Sequence, residues 1–468
     1  MTFSITNRRR VQWVLALVLI ALSGSPFEEE AYAQTENVLY TFNGLSDGGT
    51  PYAGLVSDAT GNLYGAASEY GSGPCAYPFW GCGIIFELTP AEDRTAAEWS
   101  FRVLYTFRGG PDGAQPSSAL VFDSAGNLYG TTLSGGTGCG GLGCGTIFEL
   151  ERSGATGWTE KILHRFTGGT DGEDPVASLT LDSRGNIYGT AAFGGDDTCF
   201  YDNAGPGCGV VFRLSPVGAS TSDAWTETVL HTFHATDGAN PYVGVTLAPP
   251  ELCTPSQHAL PSSSGKVCIF GTATNGVYGG IEPGGVIFQI SQGLRTWNYK
   301  MLYEFPGNCG GPGGPLILDK SGILYGMTHL GGQYCSGSVF TLSMNSAGVW
   351  TETDIYSFSG PGGWFPEYQG VVMDEHENLY GTTSAGGTGS NCQAGCGTVF
   401  RLSKATGGGW YESGLYSLQG GTQGDGPLSG SLVVRDGQIY GMTPVGGDMN
   451  CSGFGLSDGC GVIYSIGP

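Results

Sequence analysis

The segment from residue 178 to residue 233 reads SLTLDSRGNIYGTAAFGG (178–195), then a cysteine-bounded loop, GVVFRL (209–214), a polar turn and WTETVLHTF (225–233). Short runs rich in Val, Ile, Thr, Tyr and Phe alternate here with Gly, Asp and Asn, a pattern typical of β-strands joined by tight turns. The segment therefore predicts four strands, named a, b, c and d in chain order. No long apolar segment of helical period follows residue 33, so we expect an all-β protein.

Seven imperfect copies of this unit follow one another along the chain. The b strand recurs as NLYG or a close variant, beginning at residues 62, 127, 186, 268, 323, 378 and 438. Repeats of about 60 residues that each offer four short strands are typical of β-propeller blades. The seventh unit lacks a d strand, whereas QTENVLYTF (34–42) has the d-strand sequence and precedes the first unit. Pairing the two would leave no open sheet edge.

The predicted architecture is therefore one seven-bladed β-propeller over residues 34–468, with four-stranded antiparallel blades. Residues 34–42 complete the last blade, and residues 249–266 form an insertion in the fourth.

The first 33 residues resemble a secretory signal peptide. Three arginines (Arg8, Arg9 and Arg10) precede an apolar run, and Ala31 and Ala33 form a small-x-small cleavage site. An uncleaved anchor is the alternative, but the apolar run is short for a membrane span and no second one follows. We expect a secreted or periplasmic protein without a membrane span after cleavage. We expect the mature protein to be free rather than anchored to the cell surface.

The net charge of −23 argues against nucleic acid and anionic membranes as partners, because both repel an acidic protein. The acidity is compatible with calcium, cationic partners or solubility alone. We expect a monomer whose partner is an extracellular glycan or protein.

The chain has 14 cysteines, and each unit contains two of them. In an exported chain such pairs indicate disulfides, and two cysteines per unit do not supply the four ligands of a zinc site. We therefore expect seven bonds within units: Cys75–Cys82, Cys139–Cys144, Cys199–Cys208, Cys253–Cys268, Cys309–Cys335, Cys392–Cys396 and Cys451–Cys460.

The repeated segments VLYTF, LVxDxxGNLYGTT, GG and GTVFxL resemble the GloVer-type tandem repeats of exported bacterial proteins, over roughly residues 35–466. The placing of Tyr, GG and Trp is also similar to that in Kelch blades. The resemblance implies a β-propeller and export. It implies no activity, so no catalytic residue is carried over from it.

The b–c and d–a loops lie on one face of such a propeller and vary most among the units, which is typical of a binding surface. Large aromatic side chains break the repeat there, and stacking on a sugar or an apolar group would explain their exposure. The alternative is that they fill their own loops. The predicted ligand site consists of Trp80, Tyr201, His329, Tyr334 and Trp364, with Asp196 and Asp197 as polar neighbours.

The Asp of the a–b turns recurs at Asp58, Asp123, Asp182, Asp319 and Asp374. Capping of the turn explains it best, although such oxygens would also suit calcium. We expect no other cofactor. His164 and His231 replace the tyrosine of other d strands, which indicates half-buried packing.

These features favour a disulfide-stapled binding module for extracellular polysaccharide or protein. A glycan hydrolase or lyase acting at the channel mouth is the main alternative, and a structural surface component is the third. Fold alone does not separate them. Acidic groups converging with His or Tyr around the axis would favour the enzyme. The only repeat-breaking acidic pair that we single out is Asp196–Asp197, so we expect a binding function.

Overall fold

The structure is a computed structural model that describes residues 34–75, 81–91, 99–154, 157–199, 207–218, 224–249, 252, 267–275, 284–307, 310–366, 370–427, 431–451 and 459–467. The predicted signal peptide, most of the insertion at 249–266, Trp80 and Tyr201 lie outside these residues. So do Cys253 and Cys309. No helix in the described part of the chain is long and apolar enough to cross a membrane.

The described strands form seven antiparallel sheets, one for each repeat unit. The first blade contains β2 (Val56–Ser57), β3 (Leu63–Ala67), β4 (Ile84–Thr89) and β5 (Ser100–Thr106). The second contains β6 (Ala114–Pro116), β7 (Val121–Phe122), β8 (Leu128–Ser134), β9 (Thr146–Ser153) and β10 (Gly157–Arg165). The third contains β11 (Thr180–Leu181), β12 (Ile187–Ala191), β13 (Val210–Pro216) and β14 (Trp225–Thr232).

The remaining blades repeat this order. The fourth contains β15 (Thr246–Ala248), β16 (Cys268–Ala273), β17 (Val286–Gln292) and β18 (Trp297–Glu304). The fifth contains β19 (Ile317–Leu318), β20 (Leu324–Thr328), β21 (Ser338–Met344) and β22 (Trp350–Ser357). The sixth contains β23 (Val372–Met373), β24 (Leu379–Thr383), β25 (Thr398–Lys404) and β26 (Trp410–Ser417). The seventh contains β27 (Val433–Arg435), β28 (Gln438–Thr443), β29 (Val462–Gly467) and β1 (Thr35–Thr41).

The N-terminal strand closes the ring as predicted. β1 pairs with β29 in antiparallel register, with Val38 opposite Tyr464 and Thr41 opposite Val462. The amide of Phe42 extends the pairing by donating to the carbonyl of Gly461 at 3.1 Å. The seven-bladed, all-β prediction is confirmed, and the outer edge of the last sheet is covered by a strand from the start of the chain.

The second blade differs from the prediction because its sheet has a fifth strand. β6 pairs with β8 through Ala114–Ser134 and Pro116–Thr132. Elsewhere the same approach of the d–a loop to strand b is a single bridge, as at Gly49–Glu69 and Ala239–Asn275. The extra strand is therefore a longer version of a contact that other blades also make.

The hydrophobic core lies between neighbouring blades. Leu39 and Phe42 of the last blade pack with Leu63 and Phe86 of the first, and all four are buried. Within each blade, the glycine of the YG motif faces the aromatic residue of strand c, as Gly65 does Phe86. A β-carbon on Gly65 would lie 2.5 Å from that ring, closer than such atoms approach. The YG motif thus recurs because the ring needs the space.

The aspartate of the a–b turns caps its own turn. Asp182 Oδ1 accepts hydrogen bonds from the amides of Arg184 and Asn186, both at 2.9 Å. Its Oδ2 accepts from the side chains of Asn186 at 2.8 Å and Tyr188 at 3.1 Å. Burial alone would raise the pKa of Asp182, but these hydrogen bonds outweigh it and the pKa lies below its usual value.

Both oxygens of each aspartate are likewise occupied at Asp58, Asp123, Asp319 and Asp374. This geometry supports turn capping rather than calcium binding.

A second set of contacts joins the outer strands of neighbouring blades. An aromatic residue or histidine near the end of one outer strand meets a residue near the start of the next. The Tyr303 hydroxyl donates to Glu352 at 3.2 Å, whereas Tyr40 and His231 stack on the rings of Phe101 and Tyr299. We call these seven contacts the outer latch; its pairs are Tyr40–Phe101, Tyr105–Glu160, His164–Glu227, His231–Tyr299, Tyr303–Glu352, Tyr356–Glu412 and Tyr416–Glu36.

Five disulfides lie within the described residues. They join Cys75–Cys82, Cys139–Cys144, Cys199–Cys208, Cys392–Cys396 and Cys451–Cys460. Cys268 and Cys335 are also disulfide-bonded, while Cys253 and Cys309, their expected partners, lie outside the described residues. No described cysteine is free.

Candidate functional site

A cavity of about 360 Å³ lies where the segments that lead into the innermost strands of the seven blades converge. Most of its lining side chains are small, which keeps the centre open. Two phenols, Tyr52 and Tyr242, and four serines, Ser117, Ser118, Ser178 and Ser431, supply its polar groups. No carboxylate or histidine is among the described lining residues. The cavity thus offers hydroxyl groups and apolar wall to a ligand.

A set of residues with left-handed backbone precedes the segments that line the cavity. Each precedes the proline that leads into an innermost strand, and together they are called the mouth ring. Its non-glycine members have φ between 55° and 58°: Thr50, Gln115, Asp174, Asn240 and Phe365. Such conformations cost about 1 to 3 kcal/mol each for ordinary residues and persist where the surroundings enforce them, often at functional sites.

The disulfides help to enforce this backbone. The amide of Thr50 donates to the carbonyl of Cys460 at 2.8 Å, and that of Gln115 donates to Cys82 at 2.9 Å. Asp174 and Asn240 make the same bond to Cys144 and Cys208, at 3.2 and 2.9 Å. The second cysteine of one blade therefore positions the mouth-ring residue of the next.

Two of the predicted site residues, His329 and Trp364, meet a third aromatic residue, Phe365, at the boundary between the fifth and sixth blades. The rings of His329 and Phe365 lie 5.5 Å apart between centroids, and Trp364 lies 6.2 Å from Phe365 in an edge-to-face arrangement. Trp364 is held by a pair of backbone hydrogen bonds with Ala385. These three residues, His329, Trp364 and Phe365, are called the aromatic cluster. Phe365 is not among the predicted site residues, but its mouth-ring position places it at the centre of the cluster.

Tyr334 lies in the loop beside this cluster. Its side chain is 55% exposed. Two residues later, the carbonyl of Ser336 accepts the Phe365 amide at 3.0 Å, and the Ser336 hydroxyl donates to the Tyr334 carbonyl. The loop that positions Phe365 therefore also carries Tyr334.

Asp196 and Asp197 lie in another part of the propeller, away from the fifth and sixth blades. Asp196 is 2.7 Å from His234 Nδ1, at the boundary between the third and fourth blades. Hydrogen bonds from the hydroxyl and amide of Thr198, followed by that of His234, lower the pKa of Asp196 to about 2. Asp197 is exposed. The structure does not place this acidic pair with the aromatic cluster, so grouping them in one site stays a prediction.

A family model covers nearly the whole chain. The Gloeobacter/Verrucomicrobia repeat matches residues 23–267 and again residues 254–468. The chain belongs to the Gloeobacter/Verrucomicrobia repeat family. This confirms the resemblance to GloVer-type repeats. No curated protein matches the chain.

Solved structures similar to this member of the Gloeobacter/Verrucomicrobia repeat family are distant. One is a crystal structure of a protein of unknown function from Dyadobacter fermentans, with 10% identity, a TM-score of 0.39, and coverage of 93% of this chain and 98% of that one. Another is a putative oxidoreductase (glucose dehydrogenase) from Thermus thermophilus, with 14% identity, a TM-score of 0.40, and coverage of 76% and 97%. At these scores neither carries a functional argument.

The mouth also holds acidic residues that sequence analysis missed. Glu69 is 2% exposed and accepts a hydrogen bond from the Thr50 hydroxyl at 3.1 Å. Burial raises its pKa. Burial, followed by the charge of Glu173, raises the pKa of Asp174 to about 7.

Glu173 and Asp174 thus form a second acidic pair that the sequence analysis did not single out. The available signal was the residue before each proline, which is Thr, Gln, Asp, Asn, Gly, Phe and Gly in the seven blades. The proline recurs in every blade, but the residue before it differs from blade to blade. Such a position has a fixed backbone and a variable side chain, which is typical of a binding surface.

Proposed function

We propose that this protein is an exported binding module that captures neutral extracellular glycans at the channel mouth, between the fifth and sixth blades. The observation that carries the proposal is the aromatic cluster, in which Phe365 is held at φ 55° within ring-contact distance of both His329 and Trp364. A strained bulky residue needs a compensating role. Rings at a cavity mouth provide it by stacking on the apolar face of a sugar.

The net charge of the protein and the lining of its cavity indicate which class of ligand it binds. The net charge of −23 repels polyanions, so acidic polysaccharides are poor candidates. The central cavity is lined by Tyr52, Tyr242 and Ser117, whose side chains carry hydroxyl groups. Hydroxyl donors and acceptors next to apolar wall suit a neutral polyhydroxylated ligand.

Export is part of the proposal. The five described disulfides require an oxidising compartment to form and persist. The segment with Arg8, Arg9 and Arg10 before an apolar run supplies the route. The protein thus works outside the cytoplasm, where polysaccharides are accessible.

A glycan hydrolase is the second candidate, because Asp174 has a pKa of about 7 and adjoins Glu173. A carboxyl that stays protonated near neutral pH can act as a general acid, and glycoside hydrolysis uses a pair of carboxyl groups. The Asp174→Asn variant separates the two functions. It should abolish any release of reducing sugar by an enzyme and leave capture by a binding module in place.

The test is an array of neutral and acidic oligosaccharides probed with the purified protein, together with an assay for released reducing sugar. We expect retention on neutral glycans without release of reducing ends. Release that Asp174→Asn abolishes would establish the enzyme instead. Retention on no glycan would contradict the proposal.

A further inference from the structure

One contact of the outer latch brings together three side chains of metal-ligating type. His164 ends the outer strand β10 of the second blade, and Asp171 lies in the loop that follows it. Glu227 lies on β14, the outer strand of the third blade. One donor atom from each lies within 4.8 Å of the other two. Histidine nitrogen and carboxylate oxygen are both ligands of zinc.

The distances are close to those of a coordination sphere. Nε2 of His164 is 3.5 Å from Oδ2 of Asp171 and 4.0 Å from Oε2 of Glu227. Ligand atoms around a tetrahedral zinc ion lie about 3.4 Å apart, since each bond is about 2.1 Å long. The first distance already fits. Rotation about the side-chain bonds of Glu227 would shorten the His164–Glu227 distance from 4.0 Å to about 3.4 Å.

Two of the donor groups have buried atoms that lack a well-formed hydrogen bond. Nε2 of His164 and Oε1 of Glu227 are shielded from solvent and make no well-formed hydrogen bond, although Nε2 lies 3.5 Å from Oδ2 of Asp171. Leaving such atoms unsatisfied is costly, so native proteins normally provide a partner. At the Tyr303–Glu352 and Tyr356–Glu412 pairs of the outer latch the corresponding atoms are hydrogen-bonded, whereas Glu160 Oε1 and His231 Nε2 at two other contacts are also unsatisfied. The His164–Glu227 pair lacks that bond.

Asp171 is already oriented for coordination. The Thr167 hydroxyl donates to its Oδ1 at 2.6 Å, and the Thr167 amide donates to its Oδ2 at 3.0 Å. Hydrogen bonds of this kind fix ligating carboxylates in metal sites. All three side chains are largely buried, with exposed fractions of 20%, 16% and 13% for His164, Asp171 and Glu227.

We propose that His164, Asp171 and Glu227 bind a divalent transition-metal ion, of which zinc fits best, and that this ion joins the second blade to the third. One nitrogen and two oxygen donors suit zinc, whereas calcium prefers six to eight oxygen ligands. No described cysteine is free to compete for the ion. A water molecule would complete four-coordination.

The neighbouring contacts of the outer latch provide matched controls. Tyr105, Asp112 and Glu160 occupy the equivalent positions one blade earlier, where the Tyr105 hydroxyl donates to Asp112 at 2.6 Å. His231 and Asp237, 3.1 Å apart, occupy them one blade later, but there the third residue is Tyr299. Each control contact therefore lacks one ligand of the proposed set.

The experiment is calorimetric titration of zinc chloride into the full mature protein after chelation and dialysis. We expect one ion per chain, and a higher Tm in its presence because the ion binds only the folded state. His164→Tyr installs the residue found at Tyr105 and should weaken zinc binding at least about tenfold while the protein stays folded. Glu227→Gln should also weaken zinc binding at least about tenfold. His231→Tyr should leave the affinity for zinc unchanged.

A gain of function completes the test. Tyr105→His gives the preceding contact all three ligand types, so that variant should bind a second ion. Zinc binding that neither His164→Tyr nor Glu227→Gln weakens would overturn the proposal. So would binding that is lost only in His234→Ala, since that result would place the ion on the exposed Asp196–His234 pair. Failure of the wild-type protein to bind zinc would overturn it as well.

Discussion

The hydroxyl of Tyr356, on the outer strand of the fifth blade, donates a hydrogen bond of 3.3 Å to Oε2 of Glu412 on the outer strand of the sixth. The same relationship links Tyr303 to Glu352 one blade earlier. Both glutamates are largely buried, so that their charged carboxylate forms are poorly solvated. The outer latch therefore joins the blades and also makes stability depend on pH.

The stability of the protein should fall as the pH rises from about 5 to about 8. Burial, which hydrogen bonding to Tyr416 partly offsets, raises the pKa of Glu36 from 4.5 to about 7. Burial and the charge of Asp354 raise that of Glu352 from 4.5 to about 7. Between the ordinary pKa of 4.5 and the folded-state pKa of about 7, the folded state binds more protons than the unfolded state. Stability is therefore lost as the pH rises through this range.

Thermal unfolding at several pH values measures this effect. Glu352→Gln cannot ionise, and its Tm should fall less than that of the wild-type protein between pH 5 and pH 8. A Tm that rises over this range in the wild-type protein would be inconsistent with the buried glutamates.

Phe42→Ala should lower the free energy of unfolding by about 3 to 5 kcal/mol. Phe42 is fully buried and packs edge-on against Phe86 and Phe101 of the first blade, so its removal opens a cavity where the ring closes. Thr35→Ala, at the exposed end of the same strand, should cost less than about 0.5 kcal/mol. Urea denaturation measures the free energy of unfolding of both variants. Equal losses would show that Phe42 does not contribute to the hydrophobic core where the ring closes.

Loss of the Cys392–Cys396 bond should be tolerated. The cysteines are only four residues apart in sequence, so the bond removes little chain entropy, on the order of 2 kcal/mol in the chain-entropy model. The double variant Cys392→Ser/Cys396→Ser should keep its far-UV circular dichroism and unfold at a moderately lower Tm. An unfolded double variant would mean that this bond organises the blade rather than bracing a loop.

The repeat predicted the fold because each blade carries its own local signals. The Asp182 turn, the YG glycine opposite a ring and the d-strand sequence at residues 34–42 recur with fixed spacing, and spacing is visible in a sequence. Closure by residues 34–42 followed from counting strands. The fifth strand of the second blade did not, because it lengthens a contact that most blades make as a single bridge.

The site was less accessible to sequence analysis because it is built between blades. Phe365 meets His329 across a blade boundary, and Asp174 gains its raised pKa from burial at the mouth. His164 was expected to be half-buried packing, which its 20% exposure matches. Its proximity to Glu227 depends on how two outer strands align, and no single repeat encodes that.

Filling the cavity should weaken ligand capture. Val176 lines the cavity and is half-buried, so Val176→Phe would place a ring in the space that a ligand would enter. Val217→Phe is the matched control, because Val217 is 44% exposed in the turn between β13 and β14, on the opposite face. Titration with a glycan identified on the array should show weaker binding for Val176→Phe alone. Equal affinities would place the ligand outside the cavity.

The most direct test of glycan capture is a comparison of binding isotherms for Trp364→Ala and Tyr411→Ala. Trp364 belongs to the aromatic cluster, whereas Tyr411 is a 41% exposed aromatic on the outer strand of the sixth blade. With the best neutral oligosaccharide from the array, we predict at least about tenfold weaker binding for Trp364→Ala, since stacking contributes on the order of 1 kcal/mol or more. Tyr411→Ala should bind as the wild-type protein does, and both should keep its Tm. Unchanged affinity in a folded Trp364→Ala variant would contradict the proposed site.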